Sequence, residues 1–368
     1  MRWRGLLVMR HILSILAGNT NLHAANKAKK DEFYTQLEDI EKELVHYSNH
    51  FRDKTVFCNC DDPYESNFFQ YFAMNFNALG LKKLICTCYA GSPFASTQLS
   101  LPLFGPASPT GNQQKTRVPH KIEITFVQDF NGDGAVDMVD VEYLLRNYNN
   151  VLTTLNGNGS FDSPECTALL DEADIVVTNP PFSKFRDYVK LLMDKKKSFL
   201  IIGNQNAITY KEIFPLLMAN RIWLGINCVR WFIVPSNYNM KTKLNAAGQR
   251  IAEGARSRWF TNLDHKNRHV PMPLGIPYNP SDYPKYDNYD AINVDETDKI
   301  PVNYDGVMGV PITFLDKYCP EQFELCGCTE SEGKGFSNGL WNAKSKIAQP
   351  LINSKKVYKR LFIKRKKY

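Results

Sequence analysis

The stretch Asp174-Ile-Val-Val-Thr-Asn179-Pro180-Pro181-Phe182 decides the fold class. Its first half is a short run of β-branched apolar residues, which fits a strand buried on both faces, as in a parallel sheet. Two prolines then remove ladder donors and fix φ near about −65°, so the strand stops at Asn179 and a rigid lip follows. The surrounding sequence repeats the pattern. Residues 55–60 and 84–89 are apolar runs flanking a helical segment, 65–79, that ends at Gly80. That is a β-α-β unit. Downstream, 173–178 reads as a strand, 185–197 as a helix, 198–203 as a strand and 211–220 as a helix. Alternation of this length predicts an α/β fold, a doubly wound sheet with its site loops at the strand carboxyl ends. Residues 222–234 open a β-rich region containing Trp223, Trp231 and Trp259, and from about 266 the chain is rich in Pro, Tyr and Asp.

The lip itself suggests chemistry. The exocyclic amine of adenine is a poor nucleophile because its lone pair is delocalised into the ring. Acceptors that take its N–H protons make that pair more available. The Asn179 side-chain oxygen and the Pro180 carbonyl are such acceptors, Pro181 stiffens the turn, and Phe182 supplies a ring for an extruded base. The same tetrapeptide pattern also serves RNA adenines and the side-chain amide of protein glutamine, and as bare structure it is a strand-ending turn.

At 368 residues the chain exceeds one average domain of roughly 100–200 residues, and 43% hydrophobic with 23% charged residues is an ordinary globular composition. Its net charge of +7 is local: residues 355–368 carry eight Lys or Arg and no acid. Such a cluster gives a polyanion a place to bind; the alternative is a solvated tail. The interleaved Tyr358, Leu361, Phe362, Ile363 and Tyr368 favour a strand. Nine cysteines include the pairs Cys58/Cys60, Cys86/Cys88 and Cys326/Cys328. An odd count argues against a disulfide framework, and in the first two pairs strand alternation makes small core residues the expectation over zinc ligands. Residues 1–18 begin basic and apolar, but Arg10 and His11 interrupt the stretch, so a lead-in helix or a start at Met9 is expected rather than a signal peptide. No window reaches the 18 apolar residues that a membrane span needs. A cytoplasmic protein with no membrane partner is expected.

The chain resembles the EcoRI-type adenine-specific DNA methyltransferases from about Asn21 to the C-terminus. The strings that carry the resemblance are Asp31-Glu-Phe-Tyr-Thr-Gln36, Cys58-Asn-Cys-Asp-Asp-Pro63 with Ser66-Asn67-Phe68-Phe69, the Asn-Pro-Pro-Phe lip, Ile201-Ile-Gly-Asn-Gln-Asn-Ala207, Arg258-Trp-Phe-Thr-Asn-Leu-Asp-His265 and Gly306-Val-Met-Gly-Val-Pro311. The resemblance implies a Rossmann-like class I methyltransferase sheet with a β-rich C-terminal DNA-recognition region. It implies residues 1–30 as lead-in, 31–235 as the S-adenosylmethionine-dependent catalytic domain with an insertion at 91–150, and 236–368 as the target-recognition region. Transfer of a methyl group to N6 of an adenine in a short motif of double-stranded DNA is the implied activity. A cognate restriction endonuclease acting independently and a monomeric enzyme are the implied setting.

The resemblance also implies site residues. Phe33, Tyr34 and Thr35 match the segment along the methionine part of the cofactor. Asp61, Asp62 and Pro63 match the cofactor loop that other methyltransferases build with glycines, although a helix cap is an equally physical reading of that Asp-Asp-Pro. In Gly157-Asn158-Gly159-Ser160-Phe161 the family pattern places acids on both sides of the second glycine; Ser160 stands at one of them, with Asp162 able to substitute if the loop shifts. That departure keeps a catalytically inactive DNA-binding module open as an alternative. DNA contacts fall to Asn204 and Asn206, which follow a strand, and to the basic residues Arg256, Arg258, Lys266 and Arg268 interleaved with Trp259 and Phe260. For these the alternatives are helix capping and a half-buried strand. Separately, Asp129, Asn131, Asp133, Asp137 and Asp140 occupy positions 1, 3, 5, 9 and 12 of an EF-hand-like loop, with Gly134 at position 6. The alternatives there are a structural calcium ion and a plain acidic turn.

Overall fold

Ten strands form the sheet that carries the first part of the chain: β1 (Tyr34–Thr35), β2 (Thr55–Asn59), β3 (Lys83–Thr87), β4 (His120–Ile124), β5 (Leu152–Thr154), β6 (Ile175–Thr178), β7 (Ser198–Asn204), β8 (Trp223–Ile233), β9 (Lys243–Leu244) and β10 (Arg250–Thr261). The computed structural model describes residues 34–60, 66–88, 119–148, 151–234, 238, 241–329, 336–342, 345 and 347–366. The strand order is β1-β8-β10-β7-β6-β2-β3-β4-β5, with β9 paired to β10. Strands β3, β2, β6 and β7 are mutually parallel, and β10 and β4 flank them antiparallel. The result is a large mixed α/β sheet.

The parallel centre follows from the apolar runs. Every residue of β2 and of β6 is buried, so both faces of these strands are covered, as helical crossovers demand. From β2 the chain crosses through helices Asn67–Met74 and Phe76–Leu79 to β3; from β6 it crosses through helix Phe185–Asp194 to β7. The two crossovers lead away from each other, so the strand order reverses between β2 and β6. Ligands in open α/β sheets sit above the carboxyl ends at such a point.

Helix boundaries follow local chemistry, with one change from expectation. The helix after β2 starts at Ser66, whose hydroxyl accepts from the amides of Phe68 at 3.1 Å and Phe69 at 3.5 Å. Ser66 is therefore its cap; Asp61 and Asp62 lie outside the described residues. The helical segment breaks at Asn75, with φ −97° and ψ 11°, and ends at Gly80 with φ 63°, a left-handed cap that suits glycine. The segment expected as an insertion contributes to the sheet: β4 pairs with β3 from Leu84↔Ile124 to Thr87↔Lys121, burying Ile122 and Ile124. Residues 91–118 of it lie outside the described residues, as do the lead-in residues 1–30.

The chain divides into two compact units, Met1–Asn204 with Asn227–Leu263, and Gln205–Ile226 with Asp264–Tyr368. The first has a core that includes Val56, Cys58, Cys86, Val177, Leu200, Phe232 and Trp259. Cys58 and Cys86 are register partners on adjacent strands. The second carries a four-stranded sheet in the order β11-β12-β16-β13, from β11 (Ile292–Asn293), β12 (Met308–Pro311), β13 (Phe323–Cys328) and β16 (Arg360–Arg365). A hairpin of β14 (Leu351–Ile352) and β15 (Lys355–Lys356) precedes β16. The basic C-terminal run is therefore a central strand: Leu361, Phe362 and Ile363 are fully buried between β12 and β13, while Lys355, Lys356 and Tyr358 are exposed. The solvated-tail alternative does not hold for residues 360–365. Among the described residues, no helix is long and apolar enough to cross a membrane.

Candidate active site

Two strand ends meet where the order reverses. At the end of β2, the Asn59 carbonyl accepts from the Thr178 hydroxyl of β6 at 2.6 Å, and the Asn59 side-chain oxygen accepts from the Tyr188 hydroxyl. This ties the last turn of β2 to the last residue of β6 and to the helix behind the lip. Cys60 then turns with φ 83°, a left-handed conformation adopted without glycine. The glycines absent from this loop are thus replaced by a strained cysteine at the strand end. Asp61, Asp62 and Pro63 follow immediately and lie outside the described residues.

At the end of β6 the lip forms as the sequence requires. Pro180 is buried, Asn179, Pro181 and Phe182 are half-buried, and a short 3-10 turn, Phe182–Lys184, leads into helix Phe185–Asp194. The Phe182 ring meets Phe232 of β8 edge to face at 6.2 Å and 80°. Phe232 is fully buried and is the register partner of Thr35 in β1. A Cβ at Gly254 of β10 would lie 2.7 Å from the Phe232 ring, so the glycine is what lets the ring lie there. Gly203 of β7 plays the same part for Phe185, whose ring would stand 2.4 Å from its Cβ.

The segment matched to the methionine end of the cofactor is drawn to the same place. The Thr35 carbonyl accepts from the Asn67 side-chain amide at 2.7 Å, which ties β1 to the first turn of the helix after β2. Phe33 lies outside the described residues. The Gly157–Phe161 loop arrives from the other side: a Cβ on Gly159, with φ 73°, would stand 2.1 Å from the Cys88 carbonyl at the end of β3. Phe161 packs edge to face on Tyr188 at 5.0 Å, the tyrosine that bonds Asn59. The Ser160 N–H donates to the Asn158 side-chain oxygen at 2.9 Å, and the Ser160 hydroxyl donates to the Asp162 carboxylate. Asp162 thus stands beside Ser160 without any shift of the loop.

These residues fit a polar cofactor. Thr35 Oγ1 and Asn59 Nδ2 are buried, with 3% and 0% of their residues exposed, and neither atom has a hydrogen-bond partner among the described residues. Buried donors left unmet are costly, and a ligand with ammonium, carboxylate and hydroxyl groups can meet them. The sequence reading missed Asn59, Asn67, Tyr188, Phe232 and Gly254. Asn67 lay inside a string already singled out; Phe232 and Gly254 gave no local signal, because their meaning depends on strand neighbours.

The expected DNA contacts separate into two groups. Asn206 and Arg256 in their respective units are exposed, and so is Lys266. Ser257 pairs with Asn204, so Arg256 lies just past the carboxyl end of β7, and Asn204 itself is only 6% exposed. Arg258 is 3% exposed and its guanidinium meets Cys228; burial within β10 removes it from the phosphate-contact set. Arg268 is 9% exposed, bonded to Asp264 at 3.0 Å and stacked 3.8 Å above Trp223, so it serves packing in the second unit.

The calcium expectation is corrected. The Asp129 carboxylate accepts from the amides of Gly132 at 2.6 Å and Gly134 at 2.8 Å, and Asp140 accepts from Phe130 at 2.7 Å and Asp137 at 3.0 Å. These amides hold the Asp140 carboxyl below its usual pKa, the Asp137 amide most strongly. Asp137 caps helix Met138–Asn147 in a reciprocal box with Asp140, and Asn131 donates to Asp133 at 2.9 Å. The carboxylates satisfy their own loop rather than converge on an ion, and no group of three or more potential ligands of this type forms among the described residues. The acidic turn is the reading that fits.

A large mixed sheet with an Asn-Pro-Pro-Phe lip beside a polar strand end is consistent with a methyltransferase fold. The family model described as adenine-specific methyltransferase EcoRI matches residues 21–366, and the chain belongs to that family. It is 46% identical over 319 residues to the Type II methyltransferase M.EcoRI of Escherichia coli, covering 84% of this chain and 89% of that one. It is 36% identical over 361 residues to M.MgeORF184P of Mycoplasma genitalium, covering 94% and 98%, and 37% identical over 313 residues to M.MpnI of Mycoplasma pneumoniae, covering 83% and 84%. No solved structure matches the chain.

Proposed function

We propose that this chain, an adenine-specific DNA methyltransferase by family, acts on an adenine extruded from double-stranded DNA at a short motif, using the site at the β2 and β6 strand ends. The observation that carries the reading is the convergence of Asn179, Pro180 and Phe182 with Thr35 and Asn59, whose buried polar atoms await a ligand. S-adenosylmethionine, when bound, supplies an electrophilic methyl group on a sulfonium centre. The chain's own part is positioning. Asn179 Oδ1 and the Pro180 carbonyl accept the two N–H bonds of the exocyclic amine and draw its lone pair out of conjugation. Pro181 keeps that pair of acceptors rigid. Phe182, braced edge-on by Phe232, stacks on the base and compensates part of the few kcal/mol that extrusion costs. Phe33, Tyr34 and Thr35 are the proposed contacts to the methionine end, Asp61, Asp62 and Pro63 those to the ammonium or ribose hydroxyls, and Ser160 with Asp162 the polar group for the cofactor adenine.

The sheet is read as Rossmann-like class I, with strand order reversing at the cofactor site, and residues 236–368 as the DNA-recognition region with the basic β16 segment. Asn206, Arg256 and Lys266, the exposed members of the expected set, remain the enzyme's proposed DNA contacts. The enzyme is read as a cytoplasmic monomer, protecting DNA from a separate cognate endonuclease. Methyl transfer from labelled S-adenosylmethionine to unmethylated genomic DNA, followed by mapping of modified bases, tests the reading. Methylated adenines at one short motif, reduced at least about 10²-fold in Asn179→Ala, are expected. A folded wild-type chain that binds DNA and transfers nothing would leave the inactive-module alternative standing.

A further inference from the structure

Strands β8 and β10 outrun their parallel neighbours: Ser257 already pairs with the last residue of β7, so residues 250–256 overhang the carboxyl edge. On this overhang lies an open cleft of about 580 Å³, lined by Trp231, Tyr238, Lys241, Lys243, Ala252 and Glu253. That size suits a small ligand. Its charge is one-sided. Arg230 Nε donates to Glu253 at 2.6 Å, which neutralises the carboxylate among these lining residues, while neither Lys241 nor Lys243 has a carboxylate partner among the described residues. The Lys243 ammonium rests 3.6 Å from the centre of the half-buried Trp231 ring. At an exposed site such a contact is weak and exchangeable.

The cleft is wired to the active site. Trp231 precedes Phe232, the brace of Phe182. The Trp231 carbonyl accepts from Gln36 Nε2 at 3.0 Å, and Gln36 Oε1 accepts from Asn245 at 3.2 Å in the turn after β9, so the β9–β10 hairpin is tied to the residue next to Thr35. An indole face with two ammoniums that meet no carboxylate among the described residues is the chemistry of a nucleotide site: the ring stacks on a base and the cations meet its phosphates.

We propose that this cleft binds one unstacked nucleotide of the DNA strand, distinct from the target adenine at the Asn179 lip. The base displaces the Lys243 ammonium from the Trp231 ring, and Lys243 then pairs with the phosphate of that nucleotide, with Lys241 beside it. The cleft holds the strand against the lip while the target base is out. This rests on the DNA-methyltransferase reading, so binding and transfer are measured separately.

A fluorescein-labelled, single-stranded, mixed-sequence oligodeoxynucleotide is titrated with the full chain between about 50 and 200 mM salt, with transfer to unmethylated genomic DNA measured in parallel. Trp231→Ala is expected to weaken binding roughly tenfold or more, and Trp231→Phe to retain most of it. Lys243→Gln is expected to lower the slope of log affinity against log salt by about 0.7. Cofactor affinity, measured by calorimetry without DNA, should stay within about twofold in all three variants. Binding by Trp231→Ala equal to wild type, or an unchanged salt slope in Lys243→Gln, overturns the proposal even if transfer proceeds. Loss of cofactor affinity in Trp231→Ala and Trp231→Phe alike overturns it in favour of a structural role. Wild-type binding that depends on Trp231 and Lys243 without any transfer supports the cleft and refutes the catalytic reading alone.

Discussion

Replacing Gly159 by alanine tests whether the Gly157–Phe161 loop belongs to the cofactor site. The added Cβ would stand 2.1 Å from the Cys88 carbonyl oxygen and 2.9 Å from Pro119 Cβ. Ordinary contact begins near 3.4 Å, so the loop must retreat by roughly 1.3 Å. The obstacle is backbone: Cys88 is held by its own amide donating to the His120 carbonyl at 3.1 Å. Gly159 also has φ 73°, where a side chain costs about 1–2 kcal/mol. Overpacking adds about 1–3 kcal/mol, for a total loss of stability near 2–5 kcal/mol. The retreat carries Ser160 and Phe161 with it, and through Phe161 it disturbs Tyr188 and its bond to Asn59. A displacement of about 1 Å at a positioned site is worth on the order of 10²-fold. Calorimetric titration with S-adenosylmethionine and urea unfolding read the two effects. Gly157→Ala is the internal control, since its Cβ meets only Glu165 Oε2, at 3.2 Å, and a milder effect is expected. Wild-type stability and cofactor affinity in Gly159→Ala would refute both the loop placement and its role.

Two further outcomes follow from the structure. His269 stands 2.9 Å from Asp264 and 2.9 Å from Glu321, and these carboxylates, Asp264 first, raise its pKa above 6.5. A raised folded-state pKa stabilises below the unfolded value and the contribution is lost as pH rises through the folded one. Thermal unfolding followed upward from about pH 6 should show that loss, small because the side chain is largely solvated, and His269→Asn should lack it; an identical profile in the variant sinks the assignment. Cys60→Gly relieves a left-handed backbone worth about 1–2 kcal/mol while loosening the unfolded chain by about 0.5–1 kcal/mol, so a net gain of up to about 1.5 kcal/mol is expected on urea unfolding. A clear loss of stability there would show that the thiol, rather than the backbone, is what the position requires.

What the sequence determined by itself was local and covalent. Consecutive apolar residues had to be buried on two faces, which made β2, β3, β6 and β7 parallel strands, and two prolines had to end β6 at Asn179 whatever surrounded it. The long family strings brought the chemistry with them, since they place whole segments and not single residues. Tertiary structure decided everything that depended on which strands became neighbours. Arg258 and Arg256 look alike in sequence and, two residues apart, share a face of β10, yet one side chain is buried against Cys228 and the other is exposed, because the pairing of β10 with its neighbours covers Arg258, opposite Gly203 of β7, and leaves Arg256 past the end of β7. The Phe232 brace and the Gly254 gap that admits it come from that same pairing. The acidic loop matched an ion-binding spacing, but spacing does not say where carboxylates point, and here backbone amides claimed them. Likewise β4 joined the sheet out of the segment expected as an insertion, because a hydrogen-bonding partner for the edge of β3 is supplied by whichever strand the folded chain returns to it.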